Sequence, residues 1–125
     1  MPRILIADDE ESMRLLVARA ISMDGHEIVT AEDGAEALEI LNRDNGAFDL
    51  LLTDIKMPVM DGIALALAAA RDFPRVIILL MTGFADQRER ASGLEAIVQD
   101  VITKPFSVAD IRTAVANALA SRDPG

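Results

Sequence analysis

The sequence predicts an α/β fold, a single doubly wound domain whose parallel five-stranded sheet carries helices on both faces. Two observations predict it. Five apolar runs alternate with five helical patterns along the 125 residues, and βα units in succession build a parallel sheet wrapped by its own crossover helices. Two of the runs, Leu50-Leu51-Leu52 and Val76-Ile77-Ile78-Leu79-Leu80-Met81, are unbroken rather than alternating. Such continuity marks strands covered on both faces.

The elements follow in order. Arg3 to Ala7 is the first strand. Glu11 to Met23 reads as a helix because Met13, Val17, Ala20 and Ile21 share one face, and Asp24-Gly25 ends it. His26, the sole histidine, reads as a solvated turn residue. Glu27 to Ala31 is a short second strand, and Asp33-Gly34 is a turn signal. Ala35 to Leu41 forms a second helix with Ala37, Leu38 and Leu41 inward, closed by Asp44-Asn45-Gly46. Phe48 to Thr53 is the third strand. Ile63 to Arg71 is an alanine-rich third helix that Phe73-Pro74 terminates. After the strand Val76 to Met81, Asp86 to Leu94 makes a fourth helix with only alanines and one leucine to bury, a low-stability element. Val101 to Thr103 is the last strand. Ser107 to Ala120 is a fifth helix, with Ser107 as N-cap, Asp110 as capping-box acid and an inward stripe of Val108, Ile111, Val115 and Ala118/Leu119. The domain is expected to span residues 1–121, with 122–125 as a loose tail and no output domain.

Composition narrows the function classes. With 51% apolar residues the chain can bury a core and is no candidate for disorder. No apolar run approaches the roughly 18 residues of a membrane span, and the start lacks a secretory pattern. The absence of cysteine excludes disulfides and thiolate metal sites and suits a cytoplasmic protein. A formal charge of −9 argues against direct nucleic-acid binding, which rewards clustered Lys and Arg.

Four strands end in polar signals: Asp8-Asp9, Asp54, Thr82 and Lys104-Pro105. Open α/β sheets place their ligand crevice beyond the carboxyl ends of the strands, so these residues are expected to share one concavity. Three carboxylates repel one another, and a divalent cation such as Mg²⁺, which prefers carboxylate oxygens, relieves the repulsion. The cation would neutralise incoming phosphoryl oxygens while Asp54 attacks as a carboxylate nucleophile. Lys104 can pair with the same oxygens as a compact point charge, and Thr82 offers a hydroxyl. Each signal alone reads as a turn, a cap or a loop; their common place at four strand ends is what carries the reading. At least one of Leu15 and Leu16 is expected to be exposed beside these acids, with Arg14 and Arg19 nearby, as a docking face for a phosphodonor helix.

From Arg3 to about Ala120 the chain resembles the receiver domains of bacterial two-component response regulators. The resemblance rests on Asp8-Asp9-Glu10, Asp33-Gly34, Asp54 followed by Met57-Pro58 and Asp61-Gly62, Thr82-Gly83, and Lys104-Pro105-Phe106. It implies a flavodoxin-like (CheY-like) sheet of order 2-1-3-4-5 and a cis peptide before Pro105. It implies Asp54 as phosphoacceptor, Asp9 as a direct Mg²⁺ ligand, Asp8 as a ligand mostly through water, and the backbone carbonyl of Lys56 as a further ligand. Thr82 becomes the switch hydroxyl and Lys104 the phosphate-pairing lysine. The phosphodonor would be a histidine kinase or a histidine phosphotransferase, and the chain would be no enzyme beyond its own phosphoryl transfer and autodephosphorylation.

Receivers usually carry Tyr or Phe three residues before that lysine, and here the position is Val101. Neither Phe84 nor Phe106 simply takes its role, so signalling is expected to depend more on the loop after Thr82 and on the fourth helix. Val101, together with stretches such as Leu80-Met81-Thr82-Gly83-Phe84-Ala85-Asp86, resembles the CpdR-type single-domain regulators. That resemblance implies control of cell-cycle proteolysis through ClpX and the protease ClpXP, with the unphosphorylated form active. The alternative is a phosphotransfer intermediate that hands the group to a histidine phosphotransferase. An aspartyl-nucleophile phosphatase fits poorly, because the second aspartate it needs is replaced by Lys56. A flavin site lacks its hydroxyl-rich phosphate loop and stacking aromatics.

Overall fold

The structure is a computed structural model that describes residues 2–83 and 89–121. Its strands are β1 (Arg3–Ala7), β2 (Glu27–Ala31), β3 (Leu50–Asp54), β4 (Ile77–Thr82) and β5 (Asp100–Thr103). They form one parallel sheet of order β2-β1-β3-β4-β5. Four helices are complete among the described residues: α1 (Glu11–Ser22), α2 (Gly34–Arg43), α3 (Gly62–Asp72) and α4 (Val108–Ala120). The helix expected over Asp86–Leu94 falls partly outside the described residues; Glu89 and Arg90 are helical and residues 91–93 form a turn. Phe84 and the expected tail, residues 122–125, also lie outside them. No helix among the described residues is long and apolar enough to cross a membrane.

The period of two along each strand divides the core into two layers. Leu5, Leu51, Ile78 and Leu80 face α2 and α3, where Ala37, Leu41, Leu65 and Ala69 meet them. Ile4, Ile6, Leu50, Leu52, Leu79 and Met81 face α1 and α4, against Val17, Ile21, Ile111 and Val115. The central strands are buried on both sides, and a fully buried Leu or Ile contributes about 1.5–3 kcal/mol.

Local chemistry sets the helix ends. Asp33 lies in the expected turn between β2 and α2 and is also the N-cap of α2, accepting from the Glu36 N–H at 2.8 Å. Asp61 caps α3 in the same way through the Ala64 N–H. Ser107 and Asp110 form the expected capping box of α4. Asn45 and Gly46 leave α2 with positive φ, the conformation that glycine and asparagine adopt most easily. Val108 departs from its expected inward stripe and is 39% exposed, because it opens the first turn of α4 beyond the cover of the sheet. His26 is partly buried rather than solvated, its Nδ1 lacking a hydrogen bond in a hollow with Pro2, Asp24 and Arg112.

Candidate functional site

All four polar signals converge at the carboxyl end of the sheet. Asp8 and Asp9 follow β1, Asp54 closes β3, Thr82 closes β4, and Lys104 follows β5. Register makes this inevitable: Asp54 pairs with Met81, and Thr82 with Thr103, so the ends of three strands are level. An open cleft of about 810 Å³ lies above them, lined by Asp9, Glu10, Asp54, Lys56 and Lys104 together with the apolar Met13, Met57 and Pro58. Asp8 and Thr82 are wholly buried.

Asp8, Asp9 and Asp54 each offer a carboxylate oxygen, and these oxygens lie within 4.8 Å of one another. Lys104 Nζ stands 3.4 Å from Asp54 Oδ1 and 3.6 Å from Asp8 Oδ2. The Ile55 N–H donates to Asp54 Oδ1 at 3.0 Å, and the Glu10 N–H to Asp8 Oδ1 at 3.0 Å. Asp8 Oδ2 is buried without a hydrogen bond. Burial pushes the Asp54 carboxyl up to about 6, with Asp8 adding to the rise and Lys104 opposing it. Burial likewise raises Asp8, against the Glu10 N–H and Lys104. Both carboxyl groups therefore sit in a setting that disfavours their charge.

This donor set fits a hard divalent cation. An orphaned buried carboxylate oxygen is costly, and a cation among three such oxygens removes both that cost and their repulsion. Lys56 is exposed on the cleft wall, where its carbonyl belongs to the segment just after Asp54.

The backbone around the acids is held tightly. The Lys104–Pro105 peptide is cis, as the resemblance implied, and the Lys104 N–H donates to the Thr82 carbonyl at 2.7 Å. Gly62 packs so closely beneath Asp54 that a Cβ there would meet the Asp54 carbonyl oxygen. The cap on α3 requires Asp61, and the close approach to the Asp54 backbone requires Gly62.

Two surface expectations divide. Leu15 and Leu16 are both exposed, at 56% and 44%. Arg14, expected beside them as a docking residue, instead turns inward: Nη1 donates to the Asp8 carbonyl at 2.9 Å, and Nη2 lies 3.7 Å from Glu32 Oε1. Val101 on β5 borders an open cavity of about 410 Å³ with Ala91, Leu94 and Val98.

A parallel 2-1-3-4-5 sheet with an acid cluster and a lysine at its carboxyl end is the arrangement that the receiver resemblance implied. Residues 4–116 match the response regulator receiver domain family, and the chain belongs to it. It is 38% identical to the response regulator receiver protein CpdR of Brucella abortus, over 89% of this chain and 91% of that protein. It is 34% identical to a stretch of the sensor histidine kinase TmoS of Ectopseudomonas mendocina, over 99% of this chain but 13% of the kinase. The chain spans less than half the length of the first curated relatives that it matches, which include transcriptional regulators. Among solved structures, the CheY-like receiver of Methanospirillum hungatei superposes with a TM-score of 0.87 at 27% identity, covering 98% of this chain and 96% of that one. The Thermotoga maritima response regulator TrrA, solved in complex with Mg²⁺ and BeF, superposes with a TM-score of 0.82 at 30% identity, over 94% and 99%.

Proposed function

We propose that this receiver is a phosphorylation-controlled switch that acts by binding a protein partner. Asp54 is the phosphoacceptor. Its carboxylate oxygen forms an O–P bond as the P–N bond of a phosphohistidine breaks, and the imidazole nitrogen keeps the electron pair. The donor is a histidine kinase or a histidine phosphotransferase. Asp8, Asp9, Asp54 and the Lys56 carbonyl would hold Mg²⁺, which supplies charge neutralisation for the phosphoryl oxygens. Lys104 lies within ion-pair reach of Asp54 and so pairs with a phosphoryl oxygen once it is attached. Thr82 contributes its hydroxyl to the phosphorylated state. The observation that carries this reading is the meeting of three carboxylate oxygens within 4.8 Å beside the ammonium of Lys104. No turnover of a separate substrate belongs to it, and its place is the cytoplasm.

The output we propose is control of ClpXP and of cell-cycle proteolysis, with the unphosphorylated form active. The near full-length similarity to a CpdR protein supports it, as does Val101 in place of the usual aromatic switch. The test is affinity for ClpX with and without beryllofluoride, a mimic of the phosphoryl group. Wild type should bind more tightly without it, and Asp54→Ala should bind tightly in both conditions, because coupling is a difference in binding free energy between two states. Equal affinity in both states would reject the switch. It would favour the relay alternative, which the match to a stretch of a sensor kinase supports.

A further inference from the structure

Asp8 is the one fully buried acid of the cluster, and its backbone N–H and carbonyl are both held. The Asp8 N–H donates to the carbonyl of Ala31, the last residue of β2, at 3.1 Å. The register of β1 with β3 ends at the pair Ala7 and Thr53, so the Asp8 carbonyl lies beyond the strand pairing. Arg14, one turn into α1, takes over that carbonyl at 2.9 Å, and its other nitrogen faces Glu32, the residue after β2. The Arg14 side chain is only 13% exposed, so this contact is shielded from competing water.

We infer that Arg14 is a positioning residue for the cation site, acting through the peptide that joins Asp8 to Asp9. That peptide carries the Asp8 carbonyl on one side and the Asp9 nitrogen on the other. Its rotation therefore swings both ligand carboxylates at once. With the N–H of Asp8 tied to β2, its carbonyl tied to Arg14 and Oδ1 tied to the Glu10 N–H, Oδ2 is left as the oxygen aimed at the cluster. Partners that orient a metal ligand in this way are worth about 10–100-fold in affinity. This inference rests on the cation-site reading above and assigns a residue to it.

Charge and position make opposite forecasts for the removal of Arg14. Loss of a nearby positive charge by itself tightens cation binding, whereas loss of orientation weakens it. Arg14→Met keeps the apolar stem and deletes the donor. Titration of the purified chain with Mg²⁺ by calorimetry should show affinity about tenfold weaker than wild type. Amide NMR shifts of Asp8 and Asp9 should move in the metal-free protein. Glu32→Gln removes the ion pair and spares the carbonyl contact, so its affinity should stay within about threefold of wild type, as expected for an exposed pair. Arg14→Lys, with one donor able to reach the carbonyl, should fall between wild type and Arg14→Met, and it serves as the decisive variant if Arg14→Met does not fold. Unchanged or tighter Mg²⁺ binding in either Arg14 variant would overturn the inference, as would an equal loss in Glu32→Gln. Absence of Mg²⁺ binding in wild type would instead overturn the cation-site reading itself.

Discussion

Gly62→Ala puts a methyl group where backbone already stands. The added Cβ would lie 2.0 Å from the Asp54 carbonyl oxygen and 2.9 Å from the Asp54 carbonyl carbon and Ile55 Cα. Ordinary contact begins near 3.4 Å, so a gap of about 1.4 Å must open. No rotamer change supplies it, because every obstructing atom is main chain. The segment is also stitched in place: the Gly62 N–H donates to the Ile55 carbonyl at 2.8 Å, and the Ile55 N–H to the Met81 carbonyl at 3.1 Å. Opening the gap breaks the first of these bonds, at about 1 kcal/mol, and adds overpacking strain of about 1–3 kcal/mol. The total, about 2–4 kcal/mol, is a large share of the stability of a domain this size. With a urea slope of about 1–3 kcal/mol/M, the unfolding midpoint read by circular dichroism should fall by roughly 0.7–4 M. Gly25→Ala is the natural comparison, since its φ of +84° is strained for alanine but nothing lies within 4 Å of the new Cβ. It should cost about 1–2 kcal/mol. The folded Gly62→Ala protein should also phosphorylate more slowly, because the gap opens at the phosphoacceptor. A midpoint loss smaller than that of Gly25→Ala would refute the steric reasoning.

Other consequences follow from the acids. The raised pKa values of Asp54, at about 6, and of Asp8 mean that the folded metal-free protein binds protons more tightly than the unfolded chain. For Asp54, folded and unfolded states are both protonated below the ordinary value, 3.8, and no penalty acts; above about 6 its full penalty acts. Stability of the metal-free protein should therefore fall as pH rises from about 4 to about 7, and Asp54→Asn should flatten that slope, measured by urea unfolding across the range. Asp9→Ala should weaken Mg²⁺ binding more than Asp8→Ala in an NMR titration, because Asp9 is the proposed direct ligand; the reverse order would exchange their roles.

The fold was legible wherever burial repeats along the chain. Unbroken apolar runs at Leu50 to Leu52 and Val76 to Met81 announce two-sided burial, and polar residues directly behind the runs announce the crevice. The strand order and the cis peptide before Pro105 were carried by family resemblance, since neither has a local signature. Three-dimensional partnerships were hidden. Arg14 has the spacing of a surface helix residue, and nothing nearby in sequence reports that the end of β1 passes within its reach. Gly34 and Gly62 look like turn residues, yet each opens a helix against backbone, the Met60 carbonyl in one case and the Asp54 carbonyl in the other. Nor does the local sequence indicate that Val59, a β-branched residue, adopts a φ of +68°.

The central claim is that Asp54 accepts a phosphoryl group in a site that its neighbouring acids equip for a cation. Intact-mass measurement after incubation with acetyl phosphate and Mg²⁺ tests it most directly. Wild type should gain one phosphoryl group, hydroxylamine should remove it as an acyl phosphate, and chelation of the metal or Asp54→Asn should abolish it. The same gain in Asp54→Asn, or a gain indifferent to chelation, would contradict the account.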